Sequence, residues 1–284
     1  ILKESQYMPN HVKNIIKLTG AQNEIDYIVN LITKTEEVDG ETRRVVDFNS
    51  LVPMPETLNV VSGGCADECI LIYLRDAFDT ATVDAVNEHL VTIKNYNNKQ
   101  AWNYQKVDLS KVPSSEELYG KIQILVEKYG PEKDNPFGDN PVFEKDEDVI
   151  NYGKQIYENI RDYGCKDWYQ WRTYDDSNDP NNDNIGWSTK WNAYDNNCEV
   201  FNGCALLRFN TAWNIPFKFY KKLYEVIHMD CKSLSCNIKY ANEDCGSGMG
   251  EIADITKDKV RMLDYLEEYN DDELEEIYNE IWGE

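Results

Sequence analysis

With 284 residues, 41% hydrophobic and 12% aromatic, the chain is long enough to bury a substantial core as one elaborated domain or two. Its 52 carboxylates outnumber 29 Lys and Arg for a net charge of −23, which argues against a direct grip on DNA or RNA, because a phosphate backbone is held by basic side chains. No run of about 18 apolar residues occurs, and Ile1 to Tyr7 lack the basic-then-apolar order of a secretory signal; the sequence supports neither a membrane partner nor export, and the expected location is cytoplasmic.

In chain order, Met8-Pro9-Asn10 reads as a natural start, and Val12, Ile15, Ile16 and Leu18 predict a strand that stops at Thr19-Gly20. Between Ala21 and Glu36 the period changes. Ile25, Ile28, Val29 and Ile32 recur at three and four, which predicts a helix, and Asp39-Gly40 then turns the chain into a strand over Arg43 to Val52. Pro53-Met54-Pro55 ends that strand, because proline has no amide to give a ladder.

The middle, from about Asn59 to Asp183, reads as mainly helical. Ser114-x-x-Glu117 is a capping box before Leu118, Ile122, Leu125 and Tyr129, with Gly130-Pro131 as its stop; Val149, Ile156, Tyr157, Ile160 and Tyr163 mark a second helix. Asp175 to Asn184 is a polar loop. Its alternating Asp179, Asn181 and Asp183 do not make a calcium-binding EF-hand, since Asn184 stands where glycine is needed and Lys190 where glutamate is needed.

A strand is expected over Gly186 to Tyr194 and another over Ala205 to Phe209, joined as a hairpin through Asp195-Asn196-Asn197 and Asn202-Gly203. Pro216 precedes a helix marked by Phe219, Leu223, Val226 and Ile227, and Leu234 to Tyr240 is expected to be the last strand. The run Gly246-Ser247-Gly248-Met249-Gly250 reads as a turn, since a GxGxxG register would need glycine where Glu251 stands.

Toward the C-terminus, Leu263, Leu266, Leu274, Ile277, Tyr278 and Ile281 predict two short helices broken at Asn270-Asp271-Asp272, with one apolar stripe that serves either as core cover or as a contact between copies. Asp264 to Glu284 carries ten acids and no base. Two readings of this acidity stay open: a solvated surface that confers solubility, or a surface complementary to a basic groove built for nucleic acid.

Eight cysteines without a signal peptide read as free thiols. Their pairs are spaced as Cys65-x3-Cys69, Cys198-x5-Cys204 and Cys231-x4-Cys236, with Cys165 and Cys245 apart, so no zinc site and no cofactor is expected. His11, His89 and His228 are far apart and read as ordinary histidines. No Gly-x-Ser-x-Gly, His-Glu-x-x-His, Walker or Cys-His signature occurs, so no catalytic residue is assigned and the chain is read as a non-enzyme.

The stretch Gly186-Trp187-Ser188-Thr189-Lys190-Trp191-Asn192-Ala193-Tyr194-Asp195, with Phe209-Asn210-Thr211-Ala212-Trp213, Met8-Pro9-Asn10-His11-Val12 and Phe48-Asn49-x-x-Val52-Pro53-Met54-Pro55, resembles the YubB ferredoxin-like family of plasmid and prophage proteins. That resemblance implies an α+β fold: a ferredoxin-like antiparallel sheet, residues 8–58 and 185–255, split by a largely helical insertion at 59–184 and followed by acidic C-terminal helices at 256–284. It implies a structural role for Trp187, Lys190, Trp191, Asn192, Tyr194 and Trp213, and it brings no chemistry.

In size, acidity and ferredoxin-like ends the chain is also similar to the phage inhibitors of the Gabija anti-phage defence system. The expectation that follows is a homo-oligomer, in the infected bacterial cell, that binds a defence nuclease complex and blocks DNA binding or cleavage. Its contact acids would be Asp264, Glu267, Glu268, Asp271, Asp272, Glu273, Glu275 and Glu276. The alternative is a sponge for a nucleotide defence signal. That would need a cationic pocket, for which Lys190, Arg208, Lys218, Lys221 and Lys222 are the candidates.

Overall fold

Strand β1 (His11–Thr19) alternates in burial along its length, with Val12, Asn14, Ile16 and Leu18 inside. It is central to the sheet of a computed structural model that describes residues 10–38, 40–60, 65–77, 114–130, 141–163, 165–173, 186–243, 249–256, 259–262 and 271–283. The chain is an α+β protein divided into two units, Ile1–Pro53 with Gly186–Glu284, and Met54–Ile185.

In the first unit, α1 (Gln22–Ile32) follows β1 and buries Ile25, Ile28, Val29 and Ile32. The helix ends four residues before the predicted Glu36. Thr33 is already extended and closes the last turn with its hydroxyl on Val29 O at 2.6 Å. From there β2 (Thr33–Val38) and β3 (Glu41–Val46) form a two-stranded sheet of their own, and the expected strand to Val52 gives way at Asp47 to a 3-10 turn over Phe48–Ser50.

The main sheet is completed by β4 (Tyr194–Phe201), β5 (Cys204–Ala212), β6 (Ser235–Asn242), β7 (Met249–Thr256) and β8 (Lys259–Met262), with α6 (Phe217–Asp230) between β5 and β6. Its order is β4-β5-β1-β6-β7-β8, and every neighbouring pair is antiparallel. The hairpin between β4 and β5 turns at Asn202-Gly203, where Gly203 takes φ +76°, a left-handed conformation that suits glycine.

Residues 186–193 are not a strand; Asp195 to Asn197 belong to β4 rather than to a turn, with a bulge between Tyr194 and Asn197. Tyr240 does not end the sheet, since β7 and β8 extend it, so Lys259–Met262 is strand where a helix was expected. Met249-Gly250, the end of the run read as a turn, are strand and open β7, while the loop at 175–184 and Gly246 to Gly248 lie outside the described residues.

One face of the sheet carries α1 and α6. Phe48 meets Trp187, Phe209 and Phe219 with ring centroids 5.7, 5.8 and 5.0 Å apart, and all four are buried. A buried polar knot sits beside them: Tyr220 donates to Asn14 Oδ1 at 2.6 Å, while Asn14 Nδ2 reaches Val12 O and Thr211 Oγ1. Tyr220→Phe removes that donor with little change of shape, and it is expected to lower unfolding stability by about 1–3 kcal/mol in urea titration. An unchanged midpoint would show that the knot contributes nothing.

In the second unit, α4 (Asp146–Tyr163) packs against α2 (Ala66–Ala77) and α3 (Ser115–Tyr129), and the short α5 (Trp168–Thr173) follows it in the chain. The capping box is present: Ser114 N donates to Glu117 Oε2 at 2.9 Å, and Glu117 N donates back to Ser114 Oγ at 3.4 Å. Cys65, Cys69, Ile72, Leu118, Ile122, Leu125, Phe143 and Val149 form one core cluster, and Ala66, Ile70, Leu74, Ile156 and Ile160 another.

Candidate partner-binding site

The second face of the main sheet is covered by α7 (Asp271–Trp282). In β1 the residues that alternate with the buried set are His11, Lys13, Ile15 and Lys17. Ile15 joins Ala241, Ile277 and Ile281 in a small core, flanked by Tyr278 and Trp282. Trp282 Nε1 donates to Ala241 O at 3.1 Å, and Tyr278 donates to Glu243 O at 3.2 Å. The apolar stripe is therefore core cover for residues 277–282.

The row beneath α7 is basic. Arg208 and Lys239 lie opposite Ile15 on its two neighbouring strands. Lys239 Nζ pairs with Glu280 at 2.5 Å, and Lys13 Nζ stands 4.3 Å from the Trp282 ring centroid. Apolar burial and two cation contacts hold the helix in one orientation, and that orientation turns Glu275 and Glu276 outward and exposed. Neither acid forms an ion pair among the described residues.

Of the eight acids expected at the contact, Asp264, Glu267 and Glu268 lie outside the described residues. Asp271, Asp272 and Glu273 form the first turn of α7. Glu275 and Glu276 remain as acids whose placement the fold itself does not require. The basic residues below, Lys13 and Lys239, were missed in the sequence, although the alternation His11, Lys13, Ile15, Lys17 carried the signal of a second covered face.

The motif residues gather at one end of the same unit. Trp187 is buried and donates through Nε1 to Val52 O at 2.8 Å; Asn192 accepts from Phe48 N at 2.9 Å and donates to Asp47 Oδ1 at 2.6 Å. Asn196 accepts from Val46 N at 3.0 Å. Thr189 bonds both the N–H and the carbonyl of Ala212 through its hydroxyl, at 3.1 and 2.9 Å. Two motif stretches some 140 positions apart in sequence are thus tied together by side-chain hydrogen bonds.

Lys190, Trp191 and Trp213 meet on the outside of this knot. Lys190 Nζ lies 4.9 Å from the Trp191 ring centroid and 5.1 Å from that of Trp213. Trp213 is 45% exposed and holds φ +69°, a conformation that a bulky residue adopts only when its surroundings enforce it; its N–H is fixed on Asn10 O at 2.8 Å. Ser188 at φ +66° and Asp195 at φ +50° belong to the same cluster.

Tyr194 packs against Trp191, and its hydroxyl lies 2.6 Å from His11 Nδ1 and 3.1 Å from Thr211 O. Burial, with Asp195 and Glu243 adding to it, pushes Tyr194 up to about 12, so the phenol stays protonated near neutral pH and serves as a hydrogen-bonding brace.

The five cations considered for an anionic ligand do not share one site, since Lys218, Lys221 and Lys222 are all on α6 while Arg208 is on β5 and Lys190 is in the loop before β4. Arg208 is on the α7 side of the sheet, paired with Glu199 at 2.8 Å. Lys222, on α6 at the opposite face, pairs with Glu225 at 2.6 Å. Lys190 sits with the indoles.

No family model matches the chain, and neither the curated proteins nor the solved structures contain a match.

Proposed function

We propose that this chain is a phage-encoded, non-enzymatic inhibitor that assembles as a homo-oligomer on a bacterial defence nuclease complex of the Gabija type and blocks its access to DNA. The observation that carries the reading is the mounting of α7: its apolar side is buried on the sheet, so Glu275 and Glu276 stand on a rigid platform facing outward. An acidic face of fixed shape complements a groove lined by Lys and Arg, and it steers approach and register. Trp213, held exposed by a strained backbone, has the character of an anchor residue, since interfaces draw most of their energy from a few buried aromatic or Arg side chains.

The strand order supports naming the sheet ferredoxin-like. Taken as β1-α1-β4-β5-α6-β6, the elements run β-α-β-β-α-β with β1 between the third and fourth strands, and the Met54–Ile185 unit is inserted between α1 and β4. The motif residues around Trp187 support the likeness to the YubB family, and with it a plasmid or phage origin and action in the host cytoplasm. Purified chain added to the nuclease complex and labelled duplex DNA is expected to displace the DNA; persistence of the DNA complex at saturating protein would rule the reading out.

A second reading is favoured by Lys190 between two indoles, an arrangement that can stack a base and face a phosphate. Titration calorimetry with cyclic nucleotides separates the two. The inhibitor reading expects no heat of binding, and a saturable heat lost in Trp213→Ala would favour the sponge.

A further inference from the structure

Asn202-Gly203 is the sole Asn-Gly step in the sequence, and it forms the two-residue tip of the β4–β5 hairpin, between the paired Phe201 and Cys204. The step is reactive by its composition. Glycine has no Cβ to hold the Asn side chain away from the next backbone nitrogen, so that nitrogen can close a five-membered ring on the Asn amide carbon. Asn202 is exposed, which admits the water that the reaction consumes.

In the fold that same nitrogen is engaged. Gly203 N donates to Gln22 Oε1 at 2.9 Å, from the first turn of α1. The Gln22 amide is itself oriented: its Nε2 donates to Asp26 Oδ1 at 2.8 Å, one turn further along the helix, which leaves Oε1 for the hairpin. On its other side Gly203 accepts through its carbonyl from Gly20 N at 3.2 Å. Ring closure requires the Gly203 nitrogen to give up its proton and to swing toward Asn202 Cγ. Both steps break the bond to Gln22, and the swing also displaces a residue held at its carbonyl by Gly20.

We propose that Asn202 is a deamidation site whose rate the fold holds down through Gln22, with Asp26 as the residue that positions the Gln22 amide. In the reaction the Gly203 nitrogen loses its proton to solvent and attacks Asn202 Cγ. The N–Cγ bond forms, the Cγ–Nδ2 bond breaks, and Nδ2 leaves as ammonia after taking up a proton, which gives a succinimide. Water then opens the ring. Breaking the bond from Gly203 N to Cγ gives Asp, and breaking the bond from Gly203 N to the former backbone carbonyl gives isoaspartate. One Asn and one water yield one acid and one ammonia, with no change of oxidation state. Either product adds a carboxylate to the hairpin tip, and isoaspartate also lengthens the main chain inside a turn whose flanking residues are already paired.

The test incubates the intact chain in heavy-oxygen water at mildly alkaline pH, native and in guanidinium chloride, and then sequences the tryptic peptide 191–208 by mass spectrometry, since no Lys or Arg lies between Lys190 and Arg208. Heavy oxygen at position 202 marks product formed during the incubation rather than during digestion. Native wild type is expected to convert slowly at Asn202 and the denatured chain much faster. Gln22→Ala, checked as folded by circular dichroism, is expected to convert about five-fold faster than native wild type, the factor that one net hydrogen bond is worth, with Asp26→Ala between the two. Asp26 is exposed, so its variant keeps the test available should Gln22→Ala fail to fold. Conversion of native wild type at the denatured rate, or a wild-type rate in the folded variants, overturns the proposal.

Discussion

Gly153→Ala is expected to lower the stability of the helical unit by about 3 kcal/mol, the upper end of what overpacking costs in a well-filled core. A Cβ at this position would lie 2.0 Å from the Cys69 carbonyl oxygen, 2.6 Å from its carbon and 2.9 Å from Tyr73 Cβ. The first two are backbone atoms of α2, so no side-chain rotation relieves the clash, and α2 and α4 must separate. That separation opens both core clusters at once, since Cys69 belongs to one and Ile70, Ile156 and Ile160 to the other. Urea unfolding followed by circular dichroism checks it. Ser114→Ala, which removes one cap from α3, provides the scale at about 1 kcal/mol. A Gly153→Ala midpoint equal to wild type would mean that α2 and α4 do not approach this closely.

Reversing Glu275 and Glu276 together to Lys is expected to weaken binding to the nuclease complex about ten-fold or more at low ionic strength, mostly through slower association. Each exposed pair is worth little alone, so single acid-to-Ala changes should hardly register. The deficit should shrink as salt rises, because charges separated by more than a Debye length of about 8–10 Å are screened. Trp213→Ala is expected to behave differently. Its loss should be about as large, should appear in the dissociation rate and should persist at high salt, because an aromatic anchor acts through desolvation rather than long-range charge. Surface plasmon resonance across a salt series reads both. If the Lys pair binds as wild type at low salt, α7 is not the contact.

The capping box and the helix marked by Ile25, Ile28, Val29 and Ile32 were legible because their causes are local: a side chain reaching its own third neighbour, and one stripe facing one sheet. Residues 186–193 misled for the opposite reason. Trp187, Thr189 and Trp191 alternate as a strand would, yet the segment spends its hydrogen bonds through side chains, with Thr189 bonding Ala212 and Asn192 bonding Asp47 and Phe48. Nothing in a periodicity count separates a pleated ladder from a loop stitched by Thr and Asn. The first residues of β7, Met249-Gly250, close a glycine-rich run that reads as a turn, which hides the start of the strand.

At the candidate site the sequence marked α7 as acidic and left its apolar stripe with two uses. The choice depended on Ile15 and Ala241, residues on β1 and β6 that only the sheet register brings under the helix. The exposure of Trp213 was equally hidden, because a large aromatic beside a strand is usually core and only the fold leaves this one 45% exposed.

The proposed inhibition is a competition between an anionic protein face and polynucleotide for one cationic surface. Fluorescence anisotropy of labelled duplex DNA bound to the purified nuclease complex, titrated with the chain across a salt series, tests this most directly. Wild type is expected to displace the DNA, and the Glu275→Lys/Glu276→Lys variant to need about ten-fold more protein at low salt, a deficit that shrinks as salt rises. Anisotropy that stays at its starting value while the chain is bound to the complex would contradict it.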